Sequence, residues 1–405
     1  MATIPRGERP VIVITGSRNA GKSSLINALT GQEIAIVSEV AGTTTDPVAK
    51  HYELLPLGPV TFYDTAGIDD TGELGKKRIQ AARKVLYRAD IALLVIGTGN
   101  LEQSDYQLIQ TVQELKIPLL VVFNKIDLIS PQKSALENCK KNGINYRLVS
   151  SVTHEGIDEL KNDLMNLAPD FLKRQKPLVG DLIKAGNHVI LVTPIDLEAP
   201  KGRLILPQVQ VIRDLLDHNA IVTVIKETEL NMALKSLKNP PSLVITDSQV
   251  VQKVALETPE EIPLTTFSIL FARYKGELEP FLKGIRKIDE LKDGDKILIA
   301  ESCSHHVKCD DIGRFKIPDW LNQYTGKKLI YEVCSGHDFP ENLDSFALVI
   351  HCGACMTNPA EMTHRILECE RRGIPITNYG MTISKVQGLL DRVIRIFSLQ
   401  PPRQK

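Results

Sequence analysis

Two sets of residues in this chain have types and spacing that could do chemistry. The first is Gly16-Ser17-Arg18-Asn19-Ala20-Gly21-Lys22-Ser23, which follows the β-branched run Val11–Thr15 and precedes apolar residues at helical spacing, Leu25, Ile26 and Leu29. Strand, glycine-bearing loop and helix in that order make a phosphate cradle. The glycines allow tight turns, and successive N–H groups at the helix start point at an anion. Lys22 reaches the terminal phosphates, Ser23 ligates Mg2+, and Gly16, Ser17, Ala20, Gly21 and Ser24 complete the contact. The second set is Cys303-Ser304-His305 with His351-Cys352-Gly353-Ala354-Cys355. Thiolates are soft ligands suited to Zn2+ or an iron–sulfur cluster, and C-x-x-C at a strand end lets two sulfurs converge on one centre. On chemistry alone, zinc held by Cys303, Cys352, Cys355 and one histidine stands level with a cluster.

Three further motifs and a backing loop extend the first set. In the segment Ala41-Gly42-Thr43-Thr44-Thr45-Asp46, Thr44 is the threonine expected to ligate Mg2+ and sense a γ-phosphate. Asp64-Thr65-Ala66-Gly67 follows a strand, with Asp64 as outer partner of the Mg2+ site and the Gly67 N–H able to touch the γ-phosphate. Asn124-Lys125-Ile126-Asp127 follows another, and the Asp127 carboxylate can accept two hydrogen bonds from guanine. Adenine supplies no such pair and would leave Asp127 unpaired. Ser150-Ser151-Val152 falls where a loop would back the base. Each motif alone arises by chance; four in order specify a GTP site. Two positions bear on mechanism. Ile68 stands where Ras-type enzymes carry the glutamine that orients water, and Asn19 stands where a potassium-activated subset places a K+ ligand. A cation there would offset charge developing between the β- and γ-phosphates, so slow, K+-stimulated hydrolysis with Lys22, Asn19 and Thr44 as catalytic groups is expected.

The elements needed to position these residues can be read from periodicity. Apolar runs at residues 11–15, 60–63, 91–96, 118–123 and 146–149 alternate with helical patterns near 22–30, 76–87, 104–115 and 132–142, which is a doubly wound α/β sheet. Residues 1–168 are therefore expected to form a P-loop GTPase domain. Residues 169–184, containing PDFLKRQKP, are charged and aperiodic and read as a linker. Within 185–265, the strands HVILVTPID, AIVTVIKE and SLVITD alternate with helices and make a small sheet suited to pairing with its own copy, a dimerisation domain. Residues 266–405 form a third α/β unit with a parallel sheet, in which Cys303, Cys334 and Cys352 each fall just past a strand, where open sheets bind ligands.

Composition narrows the class. Apolar residues make up 43% and charged residues 24%, and Lys plus Arg equals Asp plus Glu at 49 each, so no nucleic-acid or acidic-membrane partner is implied. The start of the chain lacks the apolar core of a signal peptide, and no run is long enough to span a bilayer, so a cytoplasmic setting is expected. Six of the seven cysteines lie in the last quarter of the chain, a clustering that favours metal over disulfides in a reducing compartment. Cys139 and Cys369 fall in helical segments and read as core residues, while Cys309 and Cys334 are weaker ligand candidates.

Residues 10–165 resemble the translation-factor-related GTPases, closest to the tRNA-modification GTPase and Era branch. With its C-terminal C-x-H…H-C-x-x-C arrangement, the whole chain resembles the HydF-type FeFe-hydrogenase maturation GTPases. That resemblance implies that Cys303, Cys352 and Cys355 hold a 4Fe-4S cluster whose fourth iron keeps an exchangeable ligand, with His305 and His351 as candidates. It also implies a scaffold for the di-iron subcluster, partnered by two radical-SAM maturases and the apo-hydrogenase. The competing readings are an RNA-associated GTPase, which would want a basic, aromatic-bearing module this tail lacks, and a GTPase whose metal is a structural zinc.

Overall fold

The computed structural model describes residues 9–31, 48–54, 58–64, 84–168, 177–194, 204–302, 311–336, 339–340, 342–354 and 357–398. The chain divides into two compact units, Met1–Gln175 and Lys176–Lys405.

The first unit is built on strands β1 (Val11–Thr15), β2 (Val48–Leu54), β3 (Gly58–Asp64), β4 (Ile91–Ile96), β5 (Leu119–Phe123) and β6 (Asn145–Leu148). They lie in the order β2-β3-β1-β4-β5-β6, parallel except for the antiparallel β2–β3 pair. Every residue of β1 and β4 is buried, the signature of a parallel strand covered on both faces. Alternation along the strands separates two cores. Ile12, Ile14, Leu93 and Val95 pack with Leu25, Leu29, Leu160 and Leu164, whereas Val13, Ala92, Leu94 and Ile96 pack with Ile109 and Val112. Asp90 Oδ2 accepts from the Val11 N–H at 2.7 Å, pinning the start of β1 to that of β4. Sequence periodicity missed two elements here, β2 and the helix Ile157–Leu167. Among the described side chains of VAKHYEL, Tyr52 and Leu54 are buried and Ala49, His51 and Glu53 are exposed, so this edge strand lacks the continuous apolar run of β1 and β4.

The second unit holds two all-parallel sheets. One comprises β7 (His188–Val192), β8 (Ile221–Ile225), β9 (Leu243–Thr246) and β10 (Leu264–Thr266), ordered β10-β9-β7-β8. The other comprises β11 (Lys296–Ala300), β12 (Ile330–Cys334), β13 (Leu348–His351) and β14 (Ile376–Asn378), ordered β12-β11-β13-β14. The expected α/β class with three sheets is thus observed. The middle sheet gains a fourth strand, β10, whose three residues are too few to show a pattern.

These two sheets share one hydrophobic core, running from Ile190 and Val244 through Ile269 and Ile285 to Ile297, Ile350 and Val393. The helix Phe267–Lys275 is central to it. Thr266 caps its start by accepting from the Ile269 N–H at 3.3 Å. Phe267, Leu270 and Phe271 pack into the core on the far face of the middle sheet, while Ile269 and Ala272 enter the shared one. Part of the expected linker also docks: Leu178 and Val179 are buried, and the Val179 and Gly180 N–H groups donate to Asp214 Oδ2 at 2.8 and 2.7 Å. At the other end, Arg392 of the helix Leu390–Ser398 donates to the carbonyls of Ala255 (2.7 Å) and Pro259 (3.1 Å), fastening the C-terminal helix to the middle sheet. Among the described residues no helix is long and apolar enough to cross a membrane.

Candidate functional site

The nucleotide loop joins β1 to the helix Lys22–Thr30. Gly16 has φ +142°, and a Cβ there would fall 2.2 Å from the Val95 carbonyl oxygen; at Gly21, φ +89°, it would fall 2.3 Å from Asn124 Nδ2. Both positions therefore require glycine. Lys22 Nζ donates to the carbonyls of Gly16 (2.9 Å) and Ser17 (2.8 Å), folding the ammonium across its own loop, where a phosphate would meet it. Ser23 Oγ is 3.4 Å from Asp64 Oδ2 at the end of β3, bringing together the two residues expected as inner and outer Mg2+ partners. Burial lifts the Asp64 carboxyl above the usual carboxylate range, and Lys22, Lys50 and the Ser23 hydroxyl pull it back.

Asn124 does more than its motif suggests. Its Nδ2 donates to the Ala20 carbonyl at 3.0 Å, and its Oδ1 accepts from the Ser151 N–H (3.1 Å) and hydroxyl (2.9 Å). One buried side chain thus joins the phosphate loop to the loop expected to back the base. Ser150 Oγ, itself buried, accepts from the Val152 and Thr153 N–H groups at 3.3 and 3.1 Å and closes that turn. Asp127 lies exposed at the open side. Lys125 (φ +63°) and exposed Asn19 (φ +62°) are left-handed. Asparagine tolerates that conformation well, so backbone geometry alone accounts for its presence at position 19. Thr44, Gly67 and Ile68 lie outside the described residues.

The thiolate set gathers at the carboxyl edge of the last sheet. Ala300 of β11 is in register with Cys334 of β12 and His351 of β13. Cys352 Sγ accepts from the Ser302 N–H at 3.2 Å and the Ala354 N–H at 3.4 Å, with the Ser302 hydroxyl 3.3 Å away. Burial works to raise the Cys352 thiol, but the His351 ring and these Ser302 and Ala354 contacts outweigh it and bring the pKa down to about 6. Cys334 goes the other way: burial pushes it up to about 11. Cys352 is thus the more readily ionised of the two thiols. Cys139 and Cys369 are fully buried in helices, and burial raises both thiols. Cys303, His305 and Cys355 lie outside the described residues. Among the described residues no three His, Cys, Asp or Glu side chains converge as metal ligands.

His351 is completely buried with both ring nitrogens engaged: Nδ1 is 2.9 Å from the Cys352 carbonyl and Nε2 accepts from Arg365 Nη1 at 2.8 Å. Arg365 also donates to Glu361 Oε1 (2.7 Å) and the Gly336 carbonyl (2.9 Å). In this arrangement His351 becomes a ligand only by giving up one of those partners; it orients Cys352 instead.

Family comparisons agree with this division of the chain. Residues 11–125 match a 50S ribosome-binding GTPase model, residues 178–276 the hydrogen maturase F dimerization domain, and residues 279–396 the hydrogen maturase F tetramerization domain. The chain belongs to the hydrogen maturase F family. The first unit is its GTP-binding GTPase domain, and the dimerization model spans the middle sheet together with the helix Phe267–Lys275. Among curated relatives, the tRNA modification GTPase MnmE of Legionella pneumophila (strain Paris) is 41% identical over 181 residues, 44% of this chain and 38% of that protein. MnmE of Chromobacterium violaceum is 35% identical over 188 residues, 44% of this chain and 41% of that protein. The chain thus spans about two fifths of the length of these relatives. Among solved structures, Aquifex aeolicus Era bound to GDP and AlF4- aligns with TM-score 0.36 and 23% identity, covering 54% of this chain and 94% of Era. The G domain of the T. maritima FeoB iron transporter aligns with TM-score 0.31 and 28% identity, covering 40% and 100%.

In this hydrogen maturase F chain a cavity of about 150 Å3 opens where the carboxyl edges of the second unit's two sheets meet, lined by Ser248, Phe267, Phe271, Gly353 and Tyr379 among others. Gly353 belongs to the thiolate loop, so the cavity adjoins Cys352. Motif reading missed Arg365 and Lys275, both buried and both bound to the thiolate segment. Arg365 carried no signal beyond helical phase. Lys275 did, since Phe267, Phe271 and Lys275 recur at i, i+4 and i+8 on one helix face.

Asn124→Ala removes the bridge between the two nucleotide loops. Leaving those groups unpaired costs about 1–3 kcal/mol, so fluorescence titration with a labelled GDP should show a loss of roughly tenfold to hundredfold in affinity. Unchanged affinity would contradict the bridging role.

Proposed function

We propose that this chain is a slow, K+-stimulated GTPase scaffold that carries a 4Fe-4S cluster and serves the assembly and delivery of the di-iron subcluster during FeFe-hydrogenase maturation. The observation that carries the reading is Cys352: its sulfur accepts from the Ser302 and Ala354 N–H groups at a sheet edge, and the His351 ring with these contacts lowers its thiol pKa, in a chain whose first unit is a GTP-binding domain of this family.

At the nucleotide site, the phosphates displace the Gly16 and Ser17 carbonyls from Lys22, Ser23 and Thr44 hold Mg2+ with Asp64 behind them, and Asp127 selects guanine. Gly16, Ser17, Ala20, Gly21, Ser24, Gly67, Lys125, Ser150, Ser151 and Val152 complete the nucleotide contacts. Lys22 stabilises charge on the terminal phosphates, and Asn19 with K+ supplies the positive charge that an arginine finger gives elsewhere. Turnover in KCl should exceed that in NaCl at matched ionic strength several-fold; equal rates exclude a cation role for Asn19.

At the second site, Cys303, Cys352 and Cys355 would hold the cluster. A three-cysteine set leaves one coordination position to which a precursor can attach. Cys352 fits the role by its N–H donors, which stabilise a thiolate and a cluster-bound sulfur alike. Its partners would be two radical-SAM maturases and the apo-hydrogenase in the cytoplasm. Anaerobic purification followed by iron and sulfide analysis and EPR of the reduced protein is the test: a 4Fe-4S signal lost in Cys352→Ser is expected, and a colourless protein with stoichiometric zinc defeats the proposal.

The chain acts as a homodimer through the middle sheet. Its β8 is an edge strand with Ile221 and Val224 exposed (56% and 41%), beside exposed Val209 and Leu216 on the neighbouring helix. An apolar edge is a template for a second copy. Val224→Lys should give a monomer in sedimentation at concentrations where the parent chain is dimeric; an unaltered dimer places the contact elsewhere.

A further inference from the structure

We propose that Lys275 is the positioning residue that fixes the Ala354 and Thr357 carbonyls beside Cys352 before any metal arrives, and that its charge then biases the redox poise of the cluster. Lys275 ends the helix Phe267–Lys275 and is only 1% exposed. Its Nζ donates to the carbonyl of Ala354 at 2.7 Å and to that of Thr357 at 2.8 Å, on either side of Cys355. The ring of Phe271 lies 5.5 Å from Nζ, one turn back along the helix.

The loop it grips is one that backbone preference alone would not hold. Ala354 has φ +56°, a left-handed conformation that an alanine adopts only where its surroundings impose it. The Ala354 carbonyl also accepts from the Thr357 N–H at 3.2 Å, and Asn358 accepts from the Glu361 N–H at 3.1 Å to start the next helix. Ala354 and Thr357 are both buried, so water is poorly placed to replace the ammonium at these carbonyls. The turn that fixes the Ala354 N–H against Cys352 Sγ is therefore closed by a side chain from the other sheet's connecting helix.

A buried ammonium is costly to desolvate, and here it is satisfied by loop carbonyls rather than dispersed in solvent. A cluster becomes more negative on reduction, so a fixed cation nearby favours the reduced state and raises the potential. This second consequence rests on the cluster reading above; the loop-positioning consequence does not.

The test uses the full-length chain with Lys275→Gln and Lys275→Arg. In the metal-free protein, amide hydrogen exchange over residues 353–358 should quicken at least tenfold in the Gln variant and less in the Arg variant, while β11 and β13 keep parental protection. After anaerobic reconstitution with Fe2+ and sulfide, EPR-monitored titration should show a more negative midpoint for the Gln variant and a near-parental one for Arg, which keeps the charge. GTP turnover should match the parent in both. Parental exchange over 353–358 in both variants overturns the proposal, as does loss of protection spread through residues 176–405, which would make Lys275 an ordinary core residue. If the parent chain forms no cluster but the Gln variant still loosens 353–358, the cluster reading fails and the positioning role stands.

Discussion

A parallel strand covered on both faces has no room for polar side chains along its length, so whatever chemistry such a sheet does must sit where the strands end. This constraint governs the whole molecule. β1, β4 and β13 are buried throughout, and the groups with chemical potential follow directly on their last residues or on those of their neighbours: the phosphate loop after β1, Asp64 at the end of β3, Asn124 after β5, Cys352 after β13. The backbone helps, because the loops leaving these edges present N–H groups that no neighbouring strand can take. At the first edge those donors await a phosphate; at the last, two of them already point at a sulfur.

What the edges cannot do alone is hold their loops still, and here the molecule uses buried and half-buried polar side chains that bridge one loop to the next. Asn124 joins two loops that are far apart in sequence. Arg365 binds His351, Glu361 and the Gly336 carbonyl together, and Glu301 does the same beside the other end of the site, accepting from Arg314 at 3.1 Å and from the Ser335 hydroxyl at 3.2 Å. Such networks are stabilising only when complete. Removing one member leaves a charge or an amide buried without compensation.

The shared core of the second unit sets a limit on reading domains from composition. Residues 266–275 read from their helical pattern as the opening of a third unit, yet the helix they form packs against both sheets. A helix with nearly all its side chains buried, the polar Arg273 and Lys275 included, is a connector inside a core, not a boundary. The last part of the expected linker, residues 177–184, includes Leu178 and Val179, which are buried against the middle sheet.

The amino-acid sequence by itself determined the α/β class, nearly every strand, and the two sets of chemical residues, because buried strands and phosphate loops leave local signatures that survive without neighbours. It also indicated which cysteines were mere filling, through the helical phase of Cys139 and Cys369. It set Cys352 above Cys334 as a ligand by spacing alone, gave His351 as a ligand candidate, and passed over Lys275. Those distinctions depend on what stands opposite each side chain across strands and helices far apart in the chain. The Ser302 and Ala354 donors favour a thiolate at Cys352, desolvation keeps Cys334 a thiol, Arg365 occupies one nitrogen of His351, and a helix from the neighbouring sheet brings Lys275 to the loop. Spacing along a chain records which residues could do chemistry; only the folded surroundings set their charge and their freedom to move.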